Sequence, residues 1–269
     1  MSYDYSNFNI SDLFNVKGKV ALITGGSSGL GLNMAHALVR NGAKVYISSR
    51  KQKQCDAAVA ELTPYGEAVA ISCDASKVAN IEALVAKITE REPNGVHICI
   101  ANAGAAWGAG LIEQTEESYD KVTDLNTKSV FFTIQKMMPL LEKAATVDDP
   151  ARVIAIGSIM GLIACDSNTI PYNTSKAAVH HMVRSLCLPL GAKHITINSL
   201  SPGYFPSKMT KFILADTKDE KAANNAMGRL GLPQDMAGTC LFLCSRAGSY
   251  INGQTIAIDG GYIHQATKL

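Results

Sequence analysis

From Gly18 onward, apolar runs of strand length alternate with segments of helical length all the way along the chain. Residues 19–24, 44–49, 68–72, 96–101, 152–156, 195–199 and 255–258 read as about seven strands, and residues 30–40 and 52–62 as the first two helices between them. The strand runs are almost continuously apolar, which suits parallel strands covered on both faces. With right-handed crossovers, the alternation predicts an α/β, doubly wound parallel sheet with helices on both faces. No low-complexity linker or internal repeat divides residues 18–269, so they read as one domain preceded by a polar extension, residues 1–17.

Composition narrows the classes of function. The 269 residues are 47% hydrophobic and 18% charged, with a net charge of +2 and no block of like charges, which argues against a nucleic-acid or membrane partner. The seven cysteines show no CxxC pair and no histidines at metal-ligand spacing, so they read as reduced thiols with no metal site. The N-terminal segment carries Asp4 and Asp12 and has no apolar core, so no signal peptide is expected and the compartment reads as cytoplasmic. An alternative address, peroxisomal, comes from Thr267-Lys268-Leu269, which departs from Ser-Lys-Leu at one position.

Directly after the first predicted strand stands Thr24-Gly25-Gly26-Ser27-Ser28-Gly29-Leu30-Gly31. A glycine loop between strand and helix lets the backbone approach a pyrophosphate, which the positive helix end then favours. The second strand ends in Ser48-Ser49-Arg50-Lys51, where an NAD site would place an acid for the ribose hydroxyls. The guanidinium fork of Arg50, assisted by Ser49 or Lys51, suits a 2′-phosphate and therefore NADP(H). The same two cations could instead form a solvated helix start, although cations are poorly placed at that end of a helix.

Further along, Tyr172 and Lys176 lie four residues apart, on one face of a predicted helix. A phenol titrates near 10, and a neighbouring ammonium is expected to lower that value and poise Tyr172 for proton transfer. Upstream, the predicted strand 152–156 runs into Gly157-Ser158, at the end of the sheet where ligands of open α/β sheets gather. Ser158 could hydrogen-bond a substrate carbonyl oxygen or serve as a turn or cap serine.

These motifs, in this order, resemble the short-chain dehydrogenase/reductase family from about Gly18 to Gly261. The resemblance includes Asp74 after the third strand, Asn102-Ala103-Gly104 after the fourth, Asn126 within a long helix, Pro202-Gly203, and Asp259-Gly260-Gly261. It implies a Rossmann-like fold and the reduction of a ketone, with hydride from NADPH and a proton from Tyr172. Ser158 would polarise the carbonyl, and Lys176 would bind the nicotinamide ribose and lower the Tyr172 pKa. Asn126 would hold a water leading to Lys176, or be a helix-kink residue. Asp74 would contact the adenine, or cap the helix beginning near Ser76. Asn102, Ala103 and Gly104 would line the cofactor groove, with Pro202, Gly203, Phe205 and Ser207 beside the nicotinamide.

Two departures stand out: Ala101 where the family has a further asparagine, and a spacing of fourteen positions between Ser158 and Tyr172, one more than is common. That spacing, with Pro202-Gly203-Tyr204-Phe205-Pro206-Ser207, resembles the branch of 3-oxoacyl reductases linked to rhamnolipid synthesis. The expected substrate pocket is mainly apolar, with Trp107, Ile159, Met160, Cys165, Tyr204 and Phe212 as candidate lining, which favours 3-oxoacyl or other apolar ketones. Polar Ser167, Asn168 and Thr169 keep a polyol or sugar-alcohol dehydrogenase in view, and a non-catalytic NADP-binding regulator is the third reading. The segment 204–228 could form a lid. Helices over about 127–145 and 172–190 would form dimer faces by the same resemblance, giving a homo-oligomer, a tetramer or dimer.

Overall fold

The computed structural model describes residues 5–164 and 168–264, without the side chains of Phe212, Ile213 and Asp216. In chain order it forms α1 (Ile10–Leu13), β1 (Val20–Thr24), α2 (Gly29–Arg40), β2 (Lys44–Ser49), α3 (Gln52–Leu62), β3 (Ala68–Ser72), α4 (Val78–Arg91) and β4 (Ile98–Ala101). There follow α5 (Glu116–Thr123), α6 (Ser129–Ala144), β5 (Ala151–Ile156), α7 (Ile170–Gly191), β6 (Ile195–Pro202), α8 (Lys211–Ala223), α9 (Pro233–Cys244) and β7 (Thr255–Ile258). The strands make one sheet in the order β3-β2-β1-β4-β5-β6-β7, and every neighbouring pair is parallel. The order reverses between β1 and β4, and that switch point opens a crevice at the carboxyl ends of the strands.

Alternating residues feed two cores. Leu22, Tyr46, Cys99, Val153 and Ile197 face one side, where Leu84, Met137 and Val183 of α4, α6 and α7 cover them. Ala21, Ile23, Val45, Ile47 and Ile154 face the other, under Met34, Leu38, Leu62 and Met236 of α2, α3 and α9. Burial on both faces explains the unbroken apolar runs, at about 1.5–3 kcal/mol for each large side chain removed from water.

Three details depart from the pattern-based expectation. The sixth strand continues to Pro202, since Leu200, Ser201 and Pro202 go on pairing with Ile256, Ala257 and Ile258. The long helix expected from about 127 begins instead at Glu116, capped by Thr115, whose side chain accepts from Ser118 N. Between α5 and α6 it widens into a π-helical turn over Asp124–Lys128, which contains Asn126. Ahead of Gly18, Val16 is fully buried in the second core and Phe14 packs on Phe242 with ring centres 6.5 Å apart.

Candidate active site

A groove of about 310 Å³ runs across the carboxyl ends of the strands. At its centre the switch point is locked by polar bonds between the ends of β1 and β4. Asn102 Nδ2 donates to Thr24 O at 2.8 Å and to Gly25 O at 3.1 Å. Thr24 Oγ1 in turn accepts from Asn102 N at 3.0 Å and Ala103 N at 3.1 Å. Gly25 takes a φ of +67°, and a Cβ on Gly31 would stand 2.4 Å from Gly25 O, so the first turn of α2 closes against the loop only without side chains. Ser28 at the N-cap of α2 makes no side-chain cap bond, and the first turn holds no acid. The first N–H groups of α2 are therefore available to an anion, beside groove residues Ser27, Ser28, Gly29 and Leu30.

At the far end of the groove Ser49, Arg50 and Lys51 line the wall, joined by Gln54. Arg50 and Lys51 are exposed, and the first turn of α3 contains no acid to compensate them. The wall beside them is built from Cys73 and Ala75. Asp74 turns its carboxylate elsewhere: Oδ1 accepts from Ser76 N at 3.1 Å and Ser76 Oγ at 2.8 Å, which caps the turn into α4.

The other half of the groove gathers Ser158, Tyr172, Lys176, Pro202, Gly203, Phe205 and Ser207. The Ser158 hydroxyl stands near enough to the Tyr172 phenol to favour its ionised form and accepts from Met160 N at 3.2 Å. Lys176, 4% exposed, donates from Nζ to Ile156 O at 2.7 Å and lies 5.7 Å from the centre of the Tyr172 ring. Gly104 comes close to both inner groups, since a Cβ there would stand 3.2 Å from Asn126 Oδ1 and 3.6 Å from Lys176 Nζ. Asn126 is fully buried; its Oδ1 accepts from Ala105 N at 2.8 Å, and Nδ2 donates to Ala105 O at 2.9 Å and Ser175 Oγ at 3.0 Å. Ser175 Oγ donates onward to Tyr172 O at 2.7 Å. The Asn126 side chain thus ties the β4 loop to the helix that carries Tyr172.

The electrostatics correct one expectation. Burial pushes the Tyr172 phenol above its usual pKa, and the nearby Ser158 hydroxyl only partly opposes this. Burial also pulls Lys176 down to about 8, and its ammonium is turned onto the Ile156 carbonyl. Desolvation therefore outweighs the lowering expected from the ammonium. The phenol stays protonated at neutral pH, the state a proton donor needs.

Among the described residues, those expected to line a substrate pocket are not part of the groove lining. Ile159 is buried, 3.6 Å from where a Gly203 Cβ would stand, because the turn after Ser158 folds inward. Tyr204 lines a separate cavity with Tyr262, their rings edge to face at 5.3 Å. Trp107 is exposed, with Lys121 Nζ 4.6 Å from its ring centre. Met160 is half-buried, while Cys165 and the Phe212 side chain lie outside the described residues. Met209 and Leu125 line the groove instead, and so does Lys208. Lys208 sits in the stretch after Pro202-Gly203, but nothing in its local pattern marks it as a wall residue.

A helix N-terminus open to an anion, an exposed cationic end, and a phenol beside Ser158 and a buried ammonium together suit hydride exchange between a nicotinamide and a carbonyl. Known proteins point the same way. A family profile described as "Enoyl-(Acyl carrier protein) reductase" matches residues 25–263. The rhamnolipids biosynthesis 3-oxoacyl-[acyl-carrier-protein] reductase of Pseudomonas aeruginosa is 39% identical over 93% of this chain and 98% of its own. Dehydrogenase/reductase SDR family member 4 of Mus musculus is 35% identical over 90% of this chain and 86% of its own. The solved Pseudomonas aeruginosa RhlG/NADP active-site complex superposes with a TM-score of 0.90 at 39% identity, covering 93% of this chain and 98% of that one. On its fold, its groove and these likenesses, the chain belongs to the short-chain dehydrogenase/reductase family of oxidoreductases.

Proposed function

We propose that the protein is an NADPH-dependent ketone reductase acting on 3-oxoacyl or other apolar ketones. The observation that carries the reading is the Ser158–Tyr172–Lys176 cluster, set in the groove directly across from the glycine loop. The residues fit the cofactor: the closely approached Gly31, the N-terminus of α2 without a capping side chain, and Arg50 and Lys51 beside an acid-free helix start. Ser27, Ser28, Gly29, Leu30 and Gly31 would hold the pyrophosphate, and Ser49, Arg50 and Lys51 the 2′-phosphate. Asn102, Ala103, Gly104, Pro202, Gly203, Phe205 and Ser207 would bed the nicotinamide half. Bound NADPH supplies the hydride.

The chain's own residues do the remaining work. Ser158 holds the carbonyl oxygen and favours its negative charge as it develops. The Tyr172 hydroxyl then donates its proton to that oxygen. Lys176 stands behind as the buried cation, fixed on Ile156 O and able to grip ribose hydroxyls. Asn126 keeps the Ala105 loop and the Tyr172 turn in register through Ala105 and Ser175. Met209, exposed on the groove wall, and Leu125 beside it support an apolar substrate. Of the polar cluster that would favour a polyol, the Thr169 hydroxyl is committed, since Oγ1 donates to Asn173 Oδ1 at 3.2 Å.

Residues 18–269 form the oxidoreductase domain in this reading, and residues 1–17 precede it. Exposed Phe131 on α6 and Leu188 on α7 support a homo-oligomer. No helix of the described residues is long and apolar enough to cross a membrane. The C-terminal Thr267-Lys268-Leu269 lies outside the described residues.

The test is NADPH oxidation at ~340 nm, where the reduced nicotinamide absorbs, with NADH in parallel. The ketone panel pairs 3-oxoacyl esters and aryl ketones with open-chain ketoses. Turnover of the apolar ketones with NADPH is expected. Preference for NADH or for ketoses overturns the cofactor or the substrate assignment.

A further inference from the structure

Behind the Ser158 turn lies a histidine that the chemistry described above leaves unused. His180 sits on α7 one turn beyond Lys176 and is 2% exposed. Its Nε2 is 2.8 Å from Ser201 Oγ, on the stretch of β6 that leads into Pro202-Gly203. Ser201 is itself fully buried, so this bond cannot be replaced by bulk water.

The imidazole occupies space that two glycines leave free. A Cβ on Gly157 would lie 2.2 Å from His180 Nε2, and one on Gly161 would lie 3.0 Å from His180 Cε1. Gly157 and Gly161 bracket Ser158 and the single 3-10 turn Ile159–Gly161, whose first N–H bonds are organised by Ser158 itself. One ring therefore touches both ends of the segment carrying Ser158 and is anchored to the strand that leads into Pro202-Gly203 in the same half of the groove. Burial, with Lys176 and Arg184 adding repulsion, pulls its pKa down to about 4, so the ring is neutral across the working pH range and is no proton donor there.

We propose that His180 is a positioning residue: held by Ser201, its imidazole seats the turn 157–161 and so aims the Ser158 hydroxyl at Tyr172 and at the substrate carbonyl oxygen. The inference rests on the ketone-reductase reading. The hydrogen bond fixes the ring's rotation and the ring's edge fixes the two glycines, so both its polarity and its shape matter. A phenyl ring would match the shape and lose the anchor.

The experiment uses the full-length protein with NADPH and the best ketone of the panel, comparing wild type, His180→Phe, His180→Gln and Ser201→Ala. Each is measured for kcat, ketone KM, NADPH Kd and thermal midpoint. His180→Phe is expected to lose about tenfold in kcat, roughly the worth of one buried hydrogen bond. NADPH Kd should stay within about twofold, because the ring touches the Ser158 turn and not the glycine loop. Ser201→Ala should lose about threefold to fivefold in kcat by freeing the ring's rotation, and His180→Gln should retain more kcat than His180→Phe. Unchanged kcat in both His180→Phe and Ser201→Ala overturns the proposal. A fall in NADPH affinity parallel to that in kcat also overturns it, as does His180→Gln performing worse than His180→Phe. If His180→Phe fails to fold, Ser201→Ala alone decides. Absence of turnover in the wild type would instead sink the ketone-reductase reading, which keeps the two failures distinguishable.

Discussion

The two halves of the groove are built by opposite means. On the side of β1, β2 and β3, the wall is backbone and exposed cation: Gly25, Gly29 and Gly31 at the loop, then Arg50 and Lys51 open to solvent. On the side of β5, β6 and α7, the working groups are sunk into protein, with Ser158 6% and Lys176 4% exposed, Asn126 fully buried and a half-buried Tyr172 at the surface of the cluster. A large anionic ligand needs donors and close approach, which a glycine loop and a helix end give without desolvating any charge. Proton transfer needs shifted acidities, and in this half burial is the largest cause of the shifts at Tyr172 and Lys176. One half should therefore govern binding and the other turnover.

The largest expected effect lies in the buried half. Lys176→Met should lower kcat/KM for ketone reduction by about 10³-fold, within the range typical of removing an acid–base system, and turnover should fall more than NADPH affinity. If NADPH affinity falls more than turnover, the division between the halves is broken. In the glycine half, Gly31→Ala forces a methyl to 2.4 Å from Gly25 O. NADPH Kd should rise by about a hundredfold, as for an overpacked close contact, with kcat at saturating cofactor within about threefold.

The third effect is on stability. Lys176 titrates near 8 in the fold and at 10.5 when free, so between those values the unfolded chain binds more protons. Its burial then costs stability below pH 8, a cost relieved as pH rises from 8 toward 10.5. Compared with Lys176→Met in urea melts, the wild type should gain about 2 kcal/mol between pH 8 and pH 9.5. A flat difference would mean that the ammonium is not desolvated. The smallest effect belongs to an exposed group: Arg50→Ala should reduce the NADPH-over-NADH preference in kcat/KM by about tenfold and leave NADH kinetics unchanged.

The same contrast explains what the sequence reveals. The β2 and β3 strands, helix α3 and the glycine loop follow from local periodicity and turn chemistry, so they are legible in the chain, with boundaries that the structure keeps. The order Asn102, Ser158, Tyr172, Lys176 also survives, because all four stand at or just after strand ends or on one helix face. The π-turn agrees with the reading of Asn126 as a helix-kink residue, but its partners, Ala105 and Ser175, 21 and 49 positions away, are not legible in the chain. Asp74 takes the local one of its two readings, since its Oδ1 accepts from Ser76 N and Ser76 Oγ and caps the turn into α4. The direction of the Tyr172 shift is hidden for a related reason: spacing reveals the neighbouring lysine, and only the fold reveals the desolvation around the two groups.

The most direct measurement is a paired one on Tyr172→Phe, NADPH binding by fluorescence titration and single-turnover ketone reduction on the same preparation. The account expects NADPH Kd within about threefold of wild type and hydride transfer slowed by about 10³-fold or more. A variant that binds NADPH and still reduces the ketone at close to the wild-type rate would contradict Tyr172 as the proton donor, and with it the assignment of chemistry to the buried half.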